Sequence, residues 1–125
     1  MKKKIAYWIA TALLAFAYLA GGAFDLAQPE PVVEGAAKLG YPLHFFSILG
    51  FWKVAGGLAI LLPGLARVKE WAYAGIGFNL TAAIATHLFI KDPITEIIMP
   101  LILLGIAVTS WALRSASRKL AGSWL

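Results

Sequence analysis

The sequence predicts an all-α fold: a four-transmembrane-helix up-down bundle with both termini cytoplasmic and a short amphipathic helix in the first outer loop. Three observations carry that expectation. Hydrophobic residues make up 61% of the 125-residue chain, above the roughly 45–50% of soluble domains, and mean hydropathy is +0.80. Four apolar stretches, Ile5–Phe24, Pro42–Leu62, Trp71–Ile90 and Ile94–Leu113, each approach the ~20 residues that cross a ~30 Å hydrocarbon core. The basic residues Lys2, Lys3, Lys4, Arg67, Lys69, Arg114, Arg118 and Lys119 all fall on one side of a chain that crosses four times. A soluble globule of this length has one small core and cannot enclose four such segments. In lipid each helix satisfies its own backbone and the bilayer solvates its side chains.

The first segment has the lysine-rich start and small residues (Ala20–Ala23) of a signal peptide. Its apolar run exceeds the 7–15 residues of a signal core, so an uncleaved span is expected. Gln28-Pro29-Glu30-Pro31 stops that helix, because proline offers no N–H and restricts its predecessor. Val32, Val33, Ala36 and Leu39 then recur at helical spacing, with Glu34 and Lys38 four apart on another face. Gly40 suits the cap that ends this short helix. Two roles stay open for it: closing the turn at the interface, or forming a lid over an outward-facing cavity.

Pro63-Gly64 ends the second span and Lys69-Glu70 opens the third. Lys69 is expected at the headgroup boundary with Trp71 and Tyr73 as interfacial anchors, and Glu70 as the helix cap. Asp92-Pro93 fits N-cap and N1 of the fourth span, with Glu96 in its first turn. Pro100 lies inside that span and removes the bond to residue 96, which predicts a bend toward the outer cavity. Connections this short force antiparallel neighbours. The chain reads as one domain over 1–125.

Charge then orients the bundle. Asp25, Glu30, Glu34, Asp92 and Glu96 sit opposite the basic ends, offset only by Lys38 and Lys91. Lys/Arg-rich loops stay cytoplasmic. The net charge of +5 therefore reports topology and contact with anionic membrane lipid, not nucleic acid. The chain has no cysteine, which excludes disulfide relays, thiolate metal sites and c-type haem attachment.

Ionisable groups inside spans are costly and mark candidate sites. Lys53 lies about 16 Å below Pro42 at the helical rise, near the bilayer midplane. A central lysine costs about 2.5–3.5 kcal/mol, so its amine is expected to face the bundle. Gly50, Gly56 and Gly57 nearby let another helix or a ligand approach. Asn79 lies on a small, polar stripe with Gly75, Ala82, Ala83 and Thr86. Asp25, His44, His87 and Glu96 end or begin their spans at similar depth on the outer side. Asp25 is the natural counter-charge for Lys53, yet it is expected about 16 Å higher. A bridging water or ligand oxygen, or Asn79 as direct partner, therefore competes with a direct ion pair. His44 and His87 with Glu96 show no tight metal or haem motif, and no metal is expected. Most aromatic residues along the spans, Phe16, Tyr18, Phe45, Phe46, Phe51 and Trp52, read as core or lipid contacts, with a few left to line a quinone-sized pocket.

Leu39-Gly40-Tyr41-Pro42, Gly50-Phe51-Trp52-Lys53-Val54-Ala55-Gly56-Gly57, Leu61-Leu62-Pro63-Gly64, Lys69-Glu70-Trp71-Ala72-Tyr73-Ala74-Gly75 and Ala85-Thr86-His87-Leu88 together resemble the DoxX-like family of small bacterial membrane proteins. The resemblance implies a four-helix fold in the bacterial inner membrane. Some members are named for the membrane subunit of a thiosulfate:quinone oxidoreductase, and many have no assigned activity. Quinone chemistry is thus an analogy for this chain, because fold does not fix function.

The expected function is binding of a quinone-like or other apolar ligand, as an accessory to membrane redox machinery. The candidate ligand-binding residues are Lys53, Asp25, His87, His44, Asn79, Glu96 and Trp52. Lys53 donates to a carbonyl, Asp25 keeps it charged, and a histidine handles protons at the outer edge. Two alternatives remain open: a proton-coupled transporter subunit, and a structural partner without chemistry of its own. A homo-oligomer or membership of a larger membrane complex is expected. No residue pattern specifies a cofactor, and quinone is the candidate the resemblance allows.

Overall fold

A computed structural model describes residues 2–114. Arg118 and Lys119, counted above with the basic residues of one end, lie outside the described residues. Among these the chain forms five helices: α1 (Lys2–Ala27), α2 (Glu30–Leu39), α3 (Leu43–Leu61), α4 (Ala66–Phe89) and α5 (Thr95–Ala112). All four expected spans are helical, and the short helix after Gln28-Pro29 is present. Gly40 closes it in the left-handed conformation (φ 80°), donating its N–H to the carbonyls of Ala36 and Ala37. Glycine adopts that conformation without the Cβ clash other residues meet.

The long helices form a ring in the order α1, α3, α4, α5, each touching the next and α5 touching α1. Neighbours run antiparallel. Leu19 faces Gly57 while Asp25 faces Gly50, and Thr11 meets Ser110. The core is one thin column: Leu14, Ala15, Tyr18, Ile60, Tyr73, Ile76, Leu80 and Ala107. Around it the largest apolar side chains point outward; Phe16, Phe78 and Phe89 are 72%, 74% and 86% exposed. Apolar surface on this scale marks contact with a partner or a membrane. Helices apolar on every side are the mark of a span.

Three helices, α1, α3 and α5, are long and apolar enough to cross a membrane. α4 is long enough at 24 residues, but Asn79, His87 and its interleaved glycines dilute its hydropathy. α5 continues as helix through Pro100.

The end where α3 turns into α4 is tied by polar contacts. Lys69 is 1% exposed; its amine donates to the carbonyls of Leu62 and Gly64. The expectation of an interfacial anchor is corrected: the left-handed Leu65 (φ 56°) folds the turn back, so Lys69 satisfies the carbonyl of the α3 cap residue Leu62 and that of Gly64 in the turn after it. Glu70 does not cap α4 either. It accepts from Trp111 Nε1 at 2.9 Å and Arg114 at 2.6 Å. Deeper in, Ser110 bonds to Thr11 at 2.6 Å and to Tyr73 at 2.7 Å.

Candidate functional site

The site begins at the crossing of α1 and α3. A Cβ on Gly22 would lie 2.8 Å from the Gly50 carbonyl, and one on Gly50 would lie 2.7 Å from the Gly22 carbonyl. The two backbones therefore touch, as only glycine allows. Gln28 Nε2 pins the end of α1 beside α3, donating to the Leu43 carbonyl at 2.8 Å and to Ser47 Oγ at 3.1 Å. Asp25 and Lys53 each lie three residues, about one turn, from that crossing.

The lysine stem spans the remainder, and Lys53 Nζ meets Asp25 Oδ2 at 2.9 Å. This corrects the expected 16 Å separation. That figure treated Asp25 as the end of the first helix, level with Pro42. α1 instead runs on to Ala27 and overlaps the first turns of α3, which carries Asp25 deeper. The Asp25 side chain is 10% exposed and that of Lys53 is 22% exposed. Burial of this degree calls for a paired charge, and the pair supplies it.

Asn79 is not the lysine's partner. Its Oδ1 accepts from Tyr18 Oη at 2.8 Å across the bundle. Lys53, Tyr18 and Asn79 together line a cavity of about 290 Å³ in the half of the bundle that faces α2. Leu49, Phe45, Phe46, Leu80 and Leu103 supply its apolar walls, with Met99 and Pro100 on the α5 side. Asp25 meets the Lys53 amine as an ion pair, and an ammonium carries three donors. The other donors are left for a ligand oxygen in the cavity that the Lys53 side chain lines. The arrangement can hold a carbonyl or an anionic head against apolar walls.

Leu39 and Tyr41 reach the same cavity from the α2 side, and His87 from α4. Lys38 of α2 pairs with Asp92 Oδ1 at 3.0 Å, and His87 Nδ1 donates to Asp92 Oδ2 at 2.6 Å. Tyr41 Oη and Thr86 Oγ1 are 3.1 Å apart. α2 is thereby strapped across the cavity mouth. The bond from His87, then that from Lys38, holds the Asp92 carboxyl below the usual aspartate range. The same bond to Asp92 holds the Lys38 amine above the usual lysine range. Asp92 is not the α5 N-cap, which falls at Ile94; its carboxylate is met by Lys38 and His87 instead.

Of the expected site residues, Lys53, Asp25, Asn79 and His87 gather at or behind this cavity. His44 and Glu96 do not: both are exposed on the first turns of α3 and α5, outside its lining. Trp52 lines a second cavity between α3 and α4. Among the described residues no cluster of His, Asp and Glu could hold a metal ion.

Tyr18, Lys38, Tyr41 and Asp92 are the additions. Tyr18 was legible in principle. Tyr7, Thr11, Leu14, Tyr18, Gly22 and Asp25 form a buried stripe at three- and four-residue spacing, and a polar residue on that stripe faces the interior.

Searches of curated proteins and of solved structures gave no match. The family model described as the DoxX-like family matches residues 9–110. That span contains every residue lining the cavity and both members of the ion pair, and the chain belongs to the DoxX-like family.

Proposed function

We propose that the protein binds a quinone-like or other apolar ligand bearing a carbonyl, held by Lys53 in the cavity beneath α2, as an accessory to membrane redox machinery. One observation carries this reading: Lys53, paired with Asp25, lines a mostly apolar cavity to which Tyr18, Asn79, Thr86 and His87 add polar groups. A lysine kept only for packing has no need of a cavity beside its amine.

In this reading α4 is the fourth span, and the protein sits in the bacterial inner membrane with both termini cytoplasmic. Two features support it. α4 is a full member of the ring, and Lys2–Lys4, Arg67, Lys69 and Arg114 gather at one end, opposite Glu30, Glu34 and Glu96. The bias places the basic end inside.

The test is calorimetric titration of detergent-purified protein with a decyl-tailed dimethoxy-methyl-benzoquinone. Saturable binding, weakened by about tenfold or more in Lys53→Met, is expected from loss of one charge-assisted hydrogen bond. No saturable binding, or equal binding by the variant, overturns it.

A further inference from the structure

The second cavity, about 310 Å³ between α3 and α4, adjoins the first. Tyr18, Leu49, Lys53 and Asn79 line both. Each alone sits at the lower edge of the ~300–1,000 Å³ typical of ligand pockets. Joined at that polar waist they make one slot along the α3–α4 seam, with Lys53 and Asn79 halfway. Beyond the waist the walls are small and apolar, with Gly56, Ala59, Ala72 and Gly75 among them. A Cβ added to Gly56 or Gly75 would meet nothing within 4 Å. These glycines therefore serve no helix contact; what they leave is room. At the rim stand Trp52 and Trp71, 64% and 70% exposed. From Asn79 to Val68 the seam runs about 16 Å at the helical rise, half of a ~30 Å hydrocarbon core.

We infer that this second cavity is the tail chamber of the same ligand, an amphiphile whose carbonyl head sits at Lys53 and whose hydrocarbon tail lies along the α3–α4 seam, entered sideways from the bilayer. The occupant follows from continuity. Among the described residues the only charged group lining the chamber is Lys53, at the end that opens into the head site, so a chain lying there must carry its polar part to that end. The inference rests on the head site proposed above.

Two probes separate the two readings: tailless dimethoxy-methyl-benzoquinone and its decyl-tailed analogue, titrated into wild type, Gly56→Leu and Gly75→Leu. Wild type should prefer the tailed probe by about tenfold or more. Both leucine variants should bring that ratio near one while binding the tailless probe as wild type does. Detergent partition of the tail cancels, because the same micelle serves every variant. Retention of the full tail preference in both variants overturns the chamber and leaves the head site standing. Tailed binding abolished by the leucines, with no tailless binding at all, supports the chamber and removes the head site. Failure of both probes on wild type removes both. Unchanged helical content and melting in the variants confirm that they fold; a variant that fails this check is replaced by Gly56→Val or Ala72→Leu, read in the same way.

Discussion

α3 has two seams, and they use the same residue type for opposite ends. Toward α1, Gly22 and Gly50 bring two backbones into contact, with Gly57 set against the Leu19 side chain and the Ala15 carbonyl. Toward α4, Gly56 and Gly75 face open space. The closed seam buries an ion pair between the helices; the open seam holds the second cavity, which adjoins the first. The lesson is that glycine in a membrane helix marks either close approach or a vacancy, and only its neighbour across the seam decides which. Lys53 joins the two, because its partner lies in the closed seam and its side chain lines the open one.

The largest expected effect breaks the closed seam. Asp25→Ala leaves Lys53 without its counter-charge and should destabilise the fold by about 3–5 kcal/mol. Adding Lys53→Met should recover most of that loss, since an apolar pair of similar volume is often neutral. Thermal unfolding in detergent measures both; a double variant as unstable as the single one contradicts the pairing.

Next comes the glycine contrast itself. Gly50→Ala drives a Cβ into the Gly22 carbonyl and should cost about 1–3 kcal/mol. Gly56→Ala, six residues or about 1.7 turns away on the same helix, should gain about 0.5–1 kcal/mol through lower chain entropy. The opposite signs are the point, and matching signs would erase the distinction between the seams.

The smallest effect concerns the strap over the open seam. Because the Asp92 carboxyl is held low, its contribution is present above the ordinary aspartate range and is lost as pH falls through its depressed value. Lys38, held high, contributes below the ordinary lysine range and loses its part as pH rises through its raised value. α2 should stay docked at neutral pH and release only well on the acid or the alkaline side. The distance between spin labels on Ala37→Cys and Phe89→Cys follows this directly, in a chain with no native cysteine. Asp92→Asn should broaden that distance at neutral pH; an unchanged distribution counts against the strap.

Much of the fold was legible because hydropathy, proline and charge act locally. The helical stretches, the short α2 and its Gly40 cap all follow from residues adjacent in sequence. The membership of Lys53 and Asp25 in one site was legible too, since buried charges need partners. Their distance was not, because it depends on how far α1 overlaps α3, which Gln28 and the glycine crossing decide. Lys69 misled for a similar reason. A lysine two residues before a tryptophan reads as interfacial, whereas the left-handed Leu65 turns it back onto the carbonyls that follow α3. His44 and Glu96 stand at helix starts and Asp92 in the turn before one, but only Asp92 is met by side chains from two other elements, Lys38 and His87.

The central claim is that the closed seam holds Lys53 so that the open seam can present it to a ligand. Nitrogen NMR of lysine-labelled protein, with the Lys53 amine assigned by its loss in Lys53→Met, tests this at the atom concerned. On titration with the decyl-tailed benzoquinone, the Lys53 signal should shift saturably while those of Lys38, Lys69 and Lys91 stay in place. A Lys53 signal that does not move as the ligand saturates, or one that moves only together with every other lysine, would contradict the account.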